Sequence, residues 1–339
     1  MATPTVNRPT PEKIFNTLSA FQAAAALQAG IDLDIFSAIA ERLATPAALA
    51  QKTGASERGL RILCDYLAIQ GFLTKESGHY GLTQDSAVFL NRRSPAYMGS
   101  VAAFMNSDRS TATFRRLTEA VRKGGTVNAG GDNSEPDDEF WVNFARSMAP
   151  LTGIAAGFIA DLAGAADGKP MKVLDIAASH GMFGIAIARK NPQARIFALD
   201  WPNVLNVALE NAQAAGIADR VAPIPGSAFE AYLGSDYDCV LITNLFHHFD
   251  PPTCEKLMRR AHTALKPGGK VFTLEFVPND DRVSPPMAAA FSLIMLANTD
   301  AGDAYTFAEY EKMFRNSGFA KTTLHPVPDL PQHVLVSEK

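Results

Sequence analysis

The chain is 339 residues long, 47% hydrophobic, 9% aromatic and 19% charged, with a formal net charge of −4. That composition excludes intrinsic disorder, and the length suits two domains better than one. Lysine plus arginine number 31 against 35 acidic residues, so no global basic field marks a nucleic-acid partner, and no run of about 18 apolar residues marks a membrane span.

The opening residues, MATPTVNRPTPEK, lack an apolar h-region and read as a frayed tail rather than a signal peptide. Residues 14–29 are expected to be helical, with Phe15, Leu18, Phe21 and Leu27 along one stripe and Gly30 ending the run. A second helix follows from Leu33 to Glu41. Thr45-Pro46 opens another through Ala50, Gly54 turns the chain, and Ser56 caps a helix through Gln70. GFLTKESGHYGLT then reads as a hairpin with Gly78 at its turn. Helix, turn, helix and hairpin make a winged-helix pattern, expected over residues 1–100. A DNA reader would carry a basic footprint. Residues 1–95 hold nine Lys/Arg against eight Asp/Glu, and the second helix of the pair offers only Arg58 and Arg61. The better expectation is a packing or dimerising module. Phe15, Phe21, Leu33, Ile35 and Phe36 exceed what so small a lobe needs for its own core, which points to a homodimer through residues 14–41.

Residues 97–122 and 138–164 again look helical, within a connector expected at 101–165. Between them KGGTVNAGGDNSEPDD reads as a surface loop or lid. Phe140, Trp141, Phe144 and Met148 recur at helical spacing, as core or as the wall of a pocket for a flat apolar ligand.

From Lys169 short apolar strands alternate with helices: strands at 172–177, 194–200, 221–226, 237–244 and 270–277, helices at 182–190, 203–215 and 252–265. Such runs predict an α/β domain, 166–339, with a parallel sheet covered on both faces. KTTLHPV and HVLVSEK form a terminal hairpin, so the last strand enters antiparallel.

Open parallel sheets bind ligands beyond the carboxyl ends of their strands. After the first strand stands DIAASHGMFG, in which Asp175, Ala177, Ala178, Ser179 and Gly181 are small or acidic and Gly184 serves helix packing. The second strand ends in Asp200, whose two oxygens suit two ribose hydroxyls, followed by Trp201. Beyond the third, Ser227, Ala228 and Phe229 could flank adenine, and Asn244 ends the fourth. In strand order these make an adenosine site.

The chain here resembles the caffeate/acetylserotonin class of S-adenosylmethionine-dependent O-methyltransferases. The resemblance is carried by VLDIAASHG, ALDWPNVL, GSAF, NLFHHFD, LKPGGKVFTLE and FSLIMLAN, and covers nearly the whole length. It implies a winged-helix-like dimerisation domain before a Rossmann-like methyltransferase domain. It further implies S-adenosylmethionine as methyl donor, yielding S-adenosylhomocysteine, with an aromatic or similar hydroxyl as acceptor and no metal. By position, Asp175 and Gly181 fall in the methionine-binding loop and Asp200 on the ribose. His247 falls on the general base, Glu275 on its supporting carboxylate and Met295 on a substrate contact. Met105, Trp141, Phe144, Met148, Phe246 and Phe291 join Met295 as the expected pocket. Spacing to Gly269-Lys270 and Glu275 matches from His247 and not from His248.

Departures from the family pattern are specific. Ala177-Ala178-Ser179-His180 replaces a glycine-rich loop, Ser227 replaces an acid, and His248 stands where the family has aspartate. Ala304 replaces a second supporting glutamate, which leaves Asp303 a nearby candidate. His180 reads as a carboxyl contact or solvated, and His262 as part of a solvated face. Cys64, Cys239 and Cys254 lack CxxC spacing and suit a reducing cytoplasm. No His, Cys or carboxylate spacing suggests a metal. Two other readings stand beside O-methylation: N- or C-methylation or non-methylating chemistry on the same fold, and a ligand-sensing DNA-binding regulator.

Overall fold

The computed structural model describes residues 9–128 and 139–339. Residues 1–8 of the expected tail and 129–138 of the expected lid lie outside them. The chain divides into two compact units, Met1–Asp108 and Arg109–Lys339.

In the first unit α1 (Glu12–Asp32) and α2 (Ile35–Ala40) precede α3 (Pro46–Thr53) and α4 (Glu57–Ile69). The local signals act as expected. Thr45 Oγ1 accepts from the Ala48 N–H, Pro46 starts α3, Gly54 ends it at φ 72°, and Ser56 Oγ accepts from the Gly59 N–H. Strands β1 (Leu73–Glu76) and β2 (His79–Leu82) pair antiparallel. Ser77 and Gly78, both at positive φ, make the two-residue turn that suits strand twist. Then come α5 (Gln84–Phe89) and α6 (Gly99–Met105). Ile35, Phe36, Leu49, Leu60, Cys64, Leu67 and Tyr80 form the core of this unit. Ile35 and Phe36 are completely buried there, so they leave the expected dimer surface. What α1 exposes instead is Ile14, Phe15, Leu18 and Phe21.

The second unit opens within α7 (Asp108–Arg115) and continues with α8 (Leu117–Lys123), α9 (Glu139–Met148) and α10 (Gly153–Leu162). Strands β3 (Met171–Ile176), β4 (Ala194–Asp200), β5 (Val221–Pro225), β6 (Tyr237–Thr243), β7 (Leu265–Glu275), β8 (Lys321–Pro326) and β9 (His333–Glu338) form one sheet in the order β5-β4-β3-β6-β7-β9-β8. The first five are parallel, and β9 enters antiparallel between β7 and β8. The intervening helices are α11 (Met182–Lys190), α12 (Pro202–Ala214), α13 (Pro251–Ala264), α14 (Pro286–Asn298) and α15 (Phe307–Asn316).

Side-chain alternation covers both faces of the sheet. Leu174, Val240 and Ile242 pack with Leu257, Met258, Tyr310 and Phe314 of α13 and α15. Val173, Cys239 and Leu241 pack with Ile159 of α10 and with Phe183 and Ile187 of α11. Strand order reverses between β3 and β6. That is the crevice in which such sheets hold ligands, at their carboxyl ends.

Candidate active site

The loop after β3 is tightly wound. Ala177 and Ser179 take positive φ (54° and 53°), as does Gly181 (72°). A side chain in this region costs about 1–2 kcal/mol, so two of the three positions where glycine would be at ease are strained. The turn closes through Ala178 N–H to Leu199 O (3.0 Å) and Gly181 N–H to Ala178 O (2.7 Å). Enlarging Gly181 would strain its positive φ and crowd α12, since a Cβ there would stand 3.0 Å from the Ala208 side chain.

Two carboxylates serve this loop. Asp200 accepts from the Ser179 N–H through Oδ2 and from the Trp201 N–H through Oδ1, both at 2.7 Å. Burial pushes its carboxyl up to about 6, against the pull of those two N–H groups. Asp175 is completely buried and accepts from the Gly184 N–H at 3.3 Å through Oδ2. Burial, with Asp200 adding to it, pushes this carboxyl up to about 7. Its Oδ1 and the Ser179 Oγ are buried with no hydrogen-bond partner. Buried polar groups normally find one, so both suit a polar ligand in the loop.

His180 is neither solvated nor free to swing. It is 5% exposed, its Nδ1 accepts from the Met182 N–H (3.2 Å), and burial lowers its pKa to about 4. Beyond β5, the Ser227 hydroxyl is used within its own loop, accepting from the Phe229 N–H at 3.2 Å. Arg260 of α13 donates to Ala228 O (3.1 Å) and to Ala231 O, tying down the segment expected beside adenine.

At the carboxyl end of β6, Asn244 takes φ 52° and donates its N–H to Leu274 O. A single 3-10 turn, Phe246–His248, follows. Glu275, ending β7, reaches into it and is completely buried. Its Oε1 accepts from the Leu245 and Phe246 N–H groups (3.0 and 2.9 Å), and its Oε2 lies 2.6 Å from His247 Nδ1. A carboxylate held by three donors fixes the ring and its tautomer, leaving Nε2 as the free acceptor. Cys254 Sγ to Phe246 O (3.2 Å) and Tyr305 Oη to Phe249 O (2.6 Å) hold the turn from α13 and from the segment before α15. Gly302 abuts it so closely that a Cβ would meet His247 O at 2.1 Å.

Aromatic rings surround His247. Phe291 stands edge-on at 4.8 Å and is itself stacked on Phe276 at 4.0 Å; His248 lies at 4.4 Å. Trp141 of α9 meets His248 edge-on at 5.6 Å and packs with Trp201, Val204 and Val207, linking this wall to the loop after β4. Phe144 contacts Trp141 at 5.5 Å, Met148 is half-buried on the same helix, and Met295 of α14 is buried.

Other expected site residues have different surroundings. Phe246 is completely buried against Tyr310 and Phe314, in the core and not in a pocket wall, because the turn aims it between α13 and α15. Met105 lies exposed in the first unit. Asp303 pairs with Arg282 at 2.9 Å rather than with a histidine. His262 packs edge-on against Phe319 and is half-buried. Among the described residues no three His, Cys, Asp or Glu side chains gather as a metal-holding group. Arg260, Gly302, Tyr305 and Gln332, whose Nε2 donates to Asn244 Oδ1 (2.6 Å), carry no local sequence mark. Only tertiary contact gives them a part.

The chain matches the family model for the O-methyltransferase domain over residues 112–320 and that for the O-methyltransferase dimerisation domain over 15–92. A crystal structure of a candidate O-methyltransferase from Nostoc punctiforme PCC 73102 is 50% identical, with TM-score 0.94, covering 98% of this chain and all of that one. The tetracenomycin polyketide synthesis 8-O-methyltransferase TcmO of Streptomyces glaucescens is 28% identical over 94% of this chain and 95% of its own length. Human N-acetylserotonin methyltransferase, solved with S-adenosylmethionine, shares the fold at 20% identity, with TM-score 0.84 over 99% of each chain. A chain matched by both domain models, in that order, belongs to the S-adenosylmethionine-dependent O-methyltransferases.

Proposed function

We propose that the chain transfers the methyl group of S-adenosylmethionine to a hydroxyl of an aromatic or polyketide-like small molecule, with His247 as general base supported by Glu275. The observation that carries this reading is the buried 2.6 Å pair between His247 Nδ1 and Glu275 Oε2, with Nε2 free of any hydrogen bond among the described residues. The polyketide reaction in the name of TcmO supports the acceptor class.

S-adenosylmethionine supplies an electrophilic methyl group on a sulfonium. Asp175, Ala177, Ser179 and Gly181 would hold its methionine end and Asp200 and Trp201 its ribose. Ser227, Ala228, Phe229 and Asn244 would line the adenine side. The residues fit it: each Asp200 oxygen keeps a lone pair beyond its backbone bond, and the Asp175 Oδ1 and Ser179 Oγ are buried acceptors with nothing on them. The acceptor needs more help. A phenol has a pKa of about 10 and is protonated at neutral pH. As its proton passes to His247 Nε2, the oxygen gains the charge needed to attack, and Nδ1–H remains on Glu275, which stabilises the imidazolium. The proton then leaves to solvent. Trp141, Phe144, Met148, Phe291 and Met295 form an apolar wall that would orient a flat acceptor.

The same reading makes the protein a homodimer, supported by the dimerisation-domain match and by the apolar row on α1. It also makes it cytoplasmic, supported by three buried, unpaired cysteines. The test is a screen of hydroxylated aromatics with labelled S-adenosylmethionine, read by mass. With an acceptor in hand, His247→Ala should keep donor affinity by calorimetry and lose about 10²–10⁴-fold in turnover, and His248→Ala should lose less. Full turnover in His247→Ala would remove the base from the mechanism, and the reverse order of the two variants would move it to His248.

A further inference from the structure

His247 is not the only imidazole at this end of the cleft. The turn Phe246–His248 sets His248 beside it, ring centroids 4.4 Å apart and tilted by 44°. The two rings have different tasks open to them. His247 has committed Nδ1 to Glu275, whereas neither ring nitrogen of His248, a half-buried residue, holds a hydrogen bond among the described residues. What flanks His248 is apolar: Trp141 edge-on at 5.6 Å and Phe249 at 6.3 Å. Burial and the neighbouring His247 hold its pKa well below the ordinary value, so at neutral pH it is an uncharged ring. Such a ring donates through one nitrogen and accepts through the other.

We propose that His248 is a specificity-determining residue. It hydrogen-bonds a second oxygen adjacent to the hydroxyl that His247 deprotonates, so the preferred acceptors are aromatic compounds with a hydroxyl beside another hydroxyl or beside a carbonyl. This rests on the reading of His247 as base. Oxygens on neighbouring ring positions lie within a hydrogen bond's length of each other, and two imidazoles in van der Waals proximity can each reach one of them. A neutral ring suits both kinds of neighbour, because it can accept from a hydroxyl or donate to a carbonyl. An ionised carboxylate at 248 could only accept. A lone hydroxyl acceptor would leave His248 facing apolar carbon, its nitrogens desolvated and unpaired, and sites built to bond a polar group reject analogues that lack it.

Matched acceptors separate the possibilities. Equilibrium binding of 2,3-dihydroxynaphthalene, 1-hydroxy-2-acetonaphthone and 2-naphthol would be measured on the full-length protein saturated with S-adenosylhomocysteine. Methyl transfer from labelled S-adenosylmethionine would be followed in parallel. The wild-type protein should bind the diol and the hydroxyketone about tenfold more tightly than the mono-ol. His248→Ala should bring that ratio to within about twofold, and His248→Gln, which keeps a donor and an acceptor, should restore part of it. No preference in the wild type, including no binding of any of the three, would overturn the proposal, as would a preference that survives in His248→Ala. His247→Ala reports on the underlying reading alone: it should lower transfer to every acceptor by about 10²–10⁴-fold while the binding ratio stands. Loss of the ratio in His248→Ala together with full turnover in His247→Ala would leave His248 as the selector and remove His247 as the base.

Discussion

Three donors converge on the two oxygens of Glu275, so its replacements separate charge from geometry. In Glu275→Gln the amide oxygen can still accept from the Leu245 and Phe246 N–H groups, but its NH2 then faces His247 Nδ1. That nitrogen must become an acceptor, its proton moves to Nε2, and the ring could no longer serve as the base proposed above. We expect turnover to fall by about 10²–10⁴-fold with little change in thermal midpoint. Glu275→Ala, which orphans buried N–H groups, should also destabilise by about 1–3 kcal/mol in a denaturant titration. Asp175 offers a different handle. Its folded pKa, about 7, lies above the 3.8 of an ordinary aspartate because of burial. The folded state therefore binds the proton more tightly than the unfolded chain. This contribution to stability is fully present below about pH 4 and is lost as pH rises through about 7. Asp175→Asn carries no charge, can still accept from the Gly184 N–H, and should flatten that dependence. Its stability relative to the wild type should improve between pH 5 and 8 by on the order of 2 kcal/mol, read from unfolding curves across pH without donor. An unchanged difference across that range would show that Asp175 is charged at no extra cost.

At the level of elements, the loop after β3 departs from what its conformation prefers. Ala177 and Ser179 occupy positive φ where glycine costs nothing. Ala177→Gly should raise stability by about 0.5–1 kcal/mol, a few degrees in thermal midpoint for a unit of this size, provided the loop keeps its present winding. A fall instead would mean that the Cβ packs more than it strains. Elements with marked ends were legible in the sequence: Thr45-Pro46, Gly54 and Ser56 delimit α3 and α4 through hydrogen bonds that need no distant partner. Helices α5 and α15 have no counterpart among the expected elements, although both open with reciprocal caps, Thr83 with Ser86 and Thr306 with Glu309. The second is the Thr-x-x-Glu pattern, which could have found it. Strand β7 begins at Leu265, earlier than its apolar run, because Leu265 pairs with Tyr237 of β6 ahead of the regular ladder. Pairing of that kind has no local signature.

For the whole molecule, the exposed row on α1 bears on association. Ile14, Phe15, Leu18 and Phe21 of α1 stand 63–70% exposed, a row of large apolar side chains at the start of one helix. Contiguous patches of this sort mark interaction surfaces. Light scattering at micromolar concentration should give twice the chain mass for the wild type. Phe15→Glu with Phe21→Glu should give the mass of one chain, with helical content unchanged by circular dichroism, since neither ring belongs to the core of its unit. A wild-type monomer, or a double variant that stays dimeric, would remove α1 from the contact.

The sequence by itself determined the parallel strands, the order of the site segments along the chain and the identity of the acidic residues at the strand ends. Continuous apolar runs and small residues after a strand are local consequences of a sheet covered on both faces and a ligand held at its edge. Its resemblance to the family favoured His247 over His248 as the expected base, but could not say what each ring touches. Tertiary structure decided the rest. The order β5-β4-β3-β6-β7 sets β6 beside β7 and so puts Glu275 under the turn that carries His247. The same packing sends Phe246 and Ile35-Phe36 into cores, turns Asp303 to Arg282, and seals His180 and Asp175 away from water. Burial is a property of neighbours distant in the chain. A titratable side chain's charge and partner therefore become readable only when those neighbours are in place.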